Sequence, residues 1–157
     1  MVNANMKSKG DINKLKEDMS ELLKSDVYIG IPEANAPRPG EAVSNAQLAF
    51  IHTLGSELQN IPARPFIEPT IEKNKNKIAD AMKKAATLAM DGDSIGMQEE
   101  FEKIGLIVST KAKEYFTDPI NGWAPNSPRT IAEKGSDRPL IDTSSLRNSI
   151  TYVVAEK

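Results

Sequence analysis

The sequence predicts an α+β fold, with a small antiparallel sheet packed against two long helices, shorter N-terminal helices and long Pro-rich loops. Three observations predict it. Two short β-branched and aromatic runs, Val27–Ile31 and Ile150–Val154, lie far apart near the ends of the chain. Between them, two long stretches keep apolar residues at helical spacing, the first to about Met90 and the second to Tyr115. No strand–helix–strand alternation is present, so a parallel sheet is not expected. The two strand candidates are expected to pair with each other.

Taken in order, residues 1–10 are polar and expected to be loose. Ile12, Leu15, Met19, Leu22 and Leu23 then recur at spacings of three and four, a helical face, with Asp11 as its N-cap. In Val27-Tyr28-Ile29-Gly30-Ile31 the apolar residues alternate with Tyr28 and Gly30, so the strand should be covered on one face. Pro32 closes it and opens a loop to Val43. Ser44-Asn45-Ala46-Gln47 reads as a capping box, and its helix should end near Gly55.

Ile61 to Ile67 (IPARPFI) carries two prolines three apart and should stay extended before a helix begins near Pro69. Asp91-Gly92-Asp93 separates that helix from the next. Gly105, inside the second long helix, costs about 1 kcal/mol relative to Ala, and close approach of a neighbouring element is the simplest reason for it. Asp118-Pro119 ends that helix, and residues 118–139, rich in Pro, Asn, Gly and Ser, read as a long loop around Trp123. A polar turn, Asp142 to Ser145, and one helical turn precede the last strand.

Composition bounds the function. At 157 residues the chain fits one domain, spanning 1–157. A chain of this size buries roughly 68–70% of its unfolded surface, enough for a core without staples. It has no cysteine, which removes disulfides and thiolate metal sites. Lys+Arg 20 against Asp+Glu 22 is not the basic excess of a dedicated nucleic-acid binder. No apolar stretch approaches the ~20 residues that span a bilayer, and the N-terminus lacks the apolar region of a signal peptide, so an intracellular soluble domain is expected.

The search for chemistry returns little. His52 is the single histidine, and its simplest role is a partly buried or surface residue of its helix. Zinc would need three or four clustered ligands, and Ser-His-Asp catalysis a base with an orienter; neither pattern is present. Asp91-Gly92-Asp93 lacks the further oxygen ligands of a calcium loop and reads as a helix–helix turn. No phosphate-binding glycine motif occurs. Neither a cofactor nor a catalytic group is therefore expected.

Three blocks carry a resemblance. Ser44 through Gly55 (SNAQLAFIHTLG) is followed by Asn60 through Ile67 (NIPARPFI). Then come Trp123 through Ile131 (WAPNSPRTI) with Lys134-Gly135-Ser136, and Arg138 through Ile150. In this order they resemble the phage virion-morphogenesis or tail-completion family, the tail-to-head joining and neck-type minor proteins of long-tailed bacteriophages. The likeness spans roughly residues 27–154. Two positions depart from the family's pattern: Thr53 stands where an acidic residue is usual, and Ser144 where Gly is common. Gly would permit a left-handed backbone that Ser reaches only at a cost, so a slightly different turn is expected.

The resemblance implies a non-enzymatic structural subunit of the virion neck, made in the host cytoplasm. It would form a closed, hexameric ring and touch head-completion or connector proteins and tail-terminator or tail-tube proteins, with DNA passing nearby. Ring contacts are heterologous, and Trp and Arg favour interface hot spots. The candidate partner-binding residues are therefore Pro37, Arg38, Pro39, Arg64, Trp123, Arg129, Arg138 and Arg147. Trp123 serves either as such an anchor or as a cap on the chain's own core, and Phe66 is expected in the core. The Asp142-Thr143 pair reads as a local turn and cap. The arginines could meet phosphate or partner carboxylates. Lys14, Lys16 and Lys24 with the Arg-bearing loops motivate an alternative, a nucleic-acid-binding accessory protein of phage packaging or assembly. A small hydrolase is a weaker option, with His52 as its one candidate base.

Overall fold

A computed structural model describes residues 9–156, in the order α1 (Lys9–Lys24), β1 (Ser25–Gly30), α2 (Asn45–Leu54), α3 (Ile67–Met90), α4 (Ser94–Tyr115), α5 (Pro128–Lys134), α6 (Ser145–Ser149) and β2 (Thr151–Glu156). The expected loose segment over 1–10 lies outside these residues except at Lys9 and Gly10, which already belong to α1. That helix also includes Asp11, so Asp11 does not precede it as a cap.

The sheet is the antiparallel pair the sequence predicts. Ile29 lies opposite Tyr152, and Val27 opposite Val154. Residues directly opposite share a face. Val27, Ile29 and Val154 accordingly pack on the helices, while Tyr28 points to solvent. The sheet lies against α4, α4 against α3, and α3 against α1.

The core has two parts, joined by α4. One part, at the α3–α4 hairpin, contains Ala85, Ala89, Met97, Phe101, Ile104 and Val108, with Met19 and Leu22 of α1 packed on it. Leu23 stays exposed, so the apolar stripe of α1 is narrower than its spacing suggests. Glu100, buried on α4, accepts from Lys84 Nζ and Lys103 Nζ, both at 2.6 Å, which ties α3 to α4. The second part holds Phe66, Ala112, Tyr115, Phe116, Leu146 and Ile150. Phe66 and Phe116 meet in a tilted arrangement at 4.9 Å between ring centroids, and Trp123 meets Phe116 edge-on at 5.3 Å.

Local signals explain the boundaries. Ser44 and Gln47 form the expected capping box, and Gly55 ends α2. A Cβ on Gly55 would lie 2.7 Å from Ala63 N and 2.8 Å from Ile61 O, so only glycine lets the following chain fold back onto the helix end. α3 starts at Ile67, two residues before the expected Pro69; proline is tolerated there because a first-turn N–H has no helical partner. A Cβ on Gly105 would come within 2.1 Å of the Tyr152 ring, which identifies β2 as the close neighbour.

Residues 32–43 form the expected loop, held by a 3-10 turn at Glu33–Asn35, by the buried Ala36 and by Ala36 O, which accepts from Asn45 N at 2.8 Å. Two other loop expectations need correction. Residues 118–139 contain α5. Ser127 Oγ accepts from Thr130 N, Pro128 sits at the first helical position, and Gly135 closes the helix with φ 67°. Finally, Ser144 does adopt the left-handed conformation, at φ 63° and ψ 9°. The turn there has the backbone that glycine would favour, with serine bearing the strain.

Candidate functional site

A cavity of about 800 Å³ opens between α2, the chain that folds back after it, α5 and the 138–142 segment. Its construction begins at the end of α2. Ser56 and Ile61 pair as a bridge across a tight turn, and Arg64 N donates to His52 O at 2.6 Å. This brings the side chains of His52 and Arg64 to one wall. Arg64 is only 6% exposed. Its Nε and Nη2 donate to Ala124 O at 3.1 and 3.0 Å, and Nη2 also to Pro125 O at 3.1 Å. That clamp fixes the segment leading into α5. Asn126 Nδ2 reaches Asp137 O at 3.1 Å and closes the loop around α5. Lys134, in the last turn, enters the lining and donates to Arg138 O at 2.8 Å.

Electrostatically the site is cationic around His52. Burial first, then the charges of Arg64 and Lys134, hold the His52 pKa down to about 4, so the imidazole is neutral at pH 7. Burial lowers Lys134 as well, opposed by Asp142 and reinforced by Arg64. The His52 Nδ1 atom is buried and bonds to no group among the described residues. A Ser-His-Asp arrangement would have a carboxylate at that atom. No group of three or more His, Asp or Glu is placed to hold a metal among the described residues.

The sequence-derived candidates divide clearly. Arg38 and Arg64 both line the cavity, whereas Pro37 and Pro39 stay on the exposed loop. Arg64 is a correction: its guanidinium is buried and committed to two carbonyls, so it is not a free surface contact. Trp123 acts as the core cap; its Nε1 donates to Pro65 O at 2.9 Å and its ring lies on Tyr115 and Phe116. Arg147 donates from Nε to Lys113 O at 2.9 Å, serving a terminal carbonyl of α4. Arg129 and Arg138 are exposed, Arg129 in an ion pair with Glu133 at 2.8 Å.

Two features were not anticipated. One is the convergence of His52, Arg64 and Lys134, which lie far apart in sequence. The other is exposed apolar surface: Phe50 and Leu54 on the outer face of α2, and Leu58, 97% exposed, on the adjoining turn. The signal for the second was present, since Leu48 to Leu54 is apolar around more of the helix than one stripe requires. No protein-family model, curated protein or solved structure matches the chain.

Proposed function

We propose that the chain is a structural subunit of a bacteriophage particle, a tail-completion or head–tail joining protein that forms a closed, hexameric ring in the neck. One observation supports the reading beyond the sequence resemblance: the blocks that carry it, scattered along the chain, form one physical unit. Asn45 Nδ2 donates to Ser145 Oγ at 3.1 Å, linking the first block to the last. Arg64 and Pro65 hold the Trp123 block, and Phe66 packs with Leu146 and Ile150 in one cluster. The blocks therefore read as a shared scaffold.

The contact surface of that scaffold, in this reading, is the apolar group Phe50, Leu54 and Leu58 together with the exposed Pro37 and Pro39. Side chains of this kind on a surface helix suit the heterologous, closing contact of a ring. Connector proteins on one side and tail-terminator or tail-tube proteins on the other are the neighbours proposed. Native mass spectrometry of the purified protein, with electron microscopy of virion necks, tests the idea. A discrete ring present in virions, lost in Phe50→Asp with the fold intact, is expected. A protein that remains monomeric and is absent from purified virions would sink it.

A further inference from the structure

The geometry points to the cavity between α2 and α5 as a binding site for an oxyanion, a carboxylate or a phosphoryl group, held by Lys134 and Arg38 with Arg64 behind them. The inference does not depend on a role in assembly. It starts from an imbalance. Where lysines and arginines elsewhere are ion-paired, the partner is a carboxylate: Lys73 with Asp118, Lys84 and Lys103 with Glu100, Arg129 with Glu133. Among the described residues, none of Arg38, Arg64 or Lys134 has such a partner.

These cations nevertheless share one cavity, where Arg64 is buried and Arg38 and Lys134 are half-buried. A buried guanidinium without a counter-charge is unfavourable unless its donors are satisfied. The carbonyls of Ala124 and Pro125 satisfy part of Arg64 and carry no formal charge. Glu57 and Asp142 also line the cavity, and Asp142 acts on Lys134 through space without reaching ion-pair distance. The charged and titratable groups facing His52 are thus Arg38, Arg64 and Lys134 against Glu57 and Asp142. An entering oxyanion would supply the missing charge, and Lys and Arg are the side chains that recognise carboxylate and phosphate oxygens.

His52 makes the site easy to read, because it is the sole histidine and gives one pair of ring resonances in proton NMR. Inorganic phosphate and sodium acetate are titrated in separate arms at constant ionic strength, with sodium chloride as reference. A saturable shift of the His52 resonances beyond the chloride reference is expected. Phosphate alone assigns a phosphoryl ligand, acetate alone a carboxylate, and both together a general oxyanion site. Lys134→Met should weaken the response about tenfold or more, as expected for losing a charged hydrogen bond. Arg38→Met, at a residue whose side chain makes no hydrogen bond among the described residues, is the second variant should Lys134→Met fail to fold. Arg129→Met, on the same helix but outside the cavity, should leave the titration unchanged. Two results overturn the proposal: no shift beyond chloride in either arm, or a loss in Arg129→Met equal to that in the cavity variants.

Discussion

Replacing Gly105 by Ala sets two effects of opposite sign against each other. In an ordinary helix interior the substitution stabilises by about 1 kcal/mol, because alanine loses less backbone entropy. Here the new Cβ would lie 2.1 Å from Cδ2 and 2.4 Å from Cγ of Tyr152. Cγ does not move when the ring flips, so relief must come from χ1 or from the strand. Shifting Cγ by about 1 Å takes a χ1 rotation on the order of 40°, beyond the ~30° that already costs about 0.5–1.5 kcal/mol. Displacing β2 instead would disturb its ladder with β1. With overpacking at roughly 1–3 kcal/mol, the net effect is destabilisation by about 1 kcal/mol, a melting shift of ~2–4 °C. Urea unfolding read as a midpoint at constant slope measures it. In a Tyr152→Ala background the obstacle is gone, and Gly105→Ala should become stabilising by about 1 kcal/mol. The implied coupling, about 2 kcal/mol, is large for a residue pair. Stabilisation by Gly105→Ala in the otherwise unchanged protein would refute the packing argument.

Further outcomes follow from other residues. Ser144→Gly should stabilise by about 0.5–1 kcal/mol in thermal unfolding, since a left-handed residue costs about 1–2 kcal/mol and glycine's extra unfolded entropy returns part of that. His52, with a folded pKa of about 4 against 6.5, takes up a proton more readily when unfolded, so stability should fall as pH drops from 6.5 to about 4 and level off below. The loss is at most about 3 kcal/mol, and less with solvent screening; a His52→Gln protein with the same slope in that window would exclude His52 as its source. Arg64→Lys cannot reproduce the fork onto Ala124 O and Pro125 O and should destabilise by about 1.5–3 kcal/mol. The emission of Trp123, the sole tryptophan, should report the loosening of that segment.

The architecture was legible where its causes are local. The alternation in residues 27–31, the capping box at Ser44 and the break at Asp91–Asp93 each act within a few residues, and each appears where the sequence places it. Gly105 was legible in kind, since an interior glycine signals close approach, but only the fold names Tyr152 as the neighbour. α5 was missed because its start and stop signals, Ser127-Pro128 and Gly135, lie in a stretch whose composition reads as loop. The cavity was out of reach for another reason. His52, Arg64 and Lys134 meet only through tertiary structure, and Arg64 reads as a surface cation until the carbonyls that enclose it are located. Ser144 shows tertiary packing overriding a local preference, as Ile141 before it packs on the core and Ser145 after it is bonded to Asn45.

The ladder between β1 and β2 also sets an order of events in time. It joins residues at opposite ends of the described chain, so closing it confers no benefit until the intervening helices have condensed. The α3–α4 hairpin, with its three-residue turn, meets no such delay. Ala89→Gly should therefore slow refolding, while Val154→Ala should leave refolding nearly unchanged and speed unfolding, and the reverse pattern would contradict this sequence of steps. Until its last strand docks, the chain carries a formed helical hairpin whose sheet-facing side is still bare. A form with that side bare would be the one most prone to stick to its own copies.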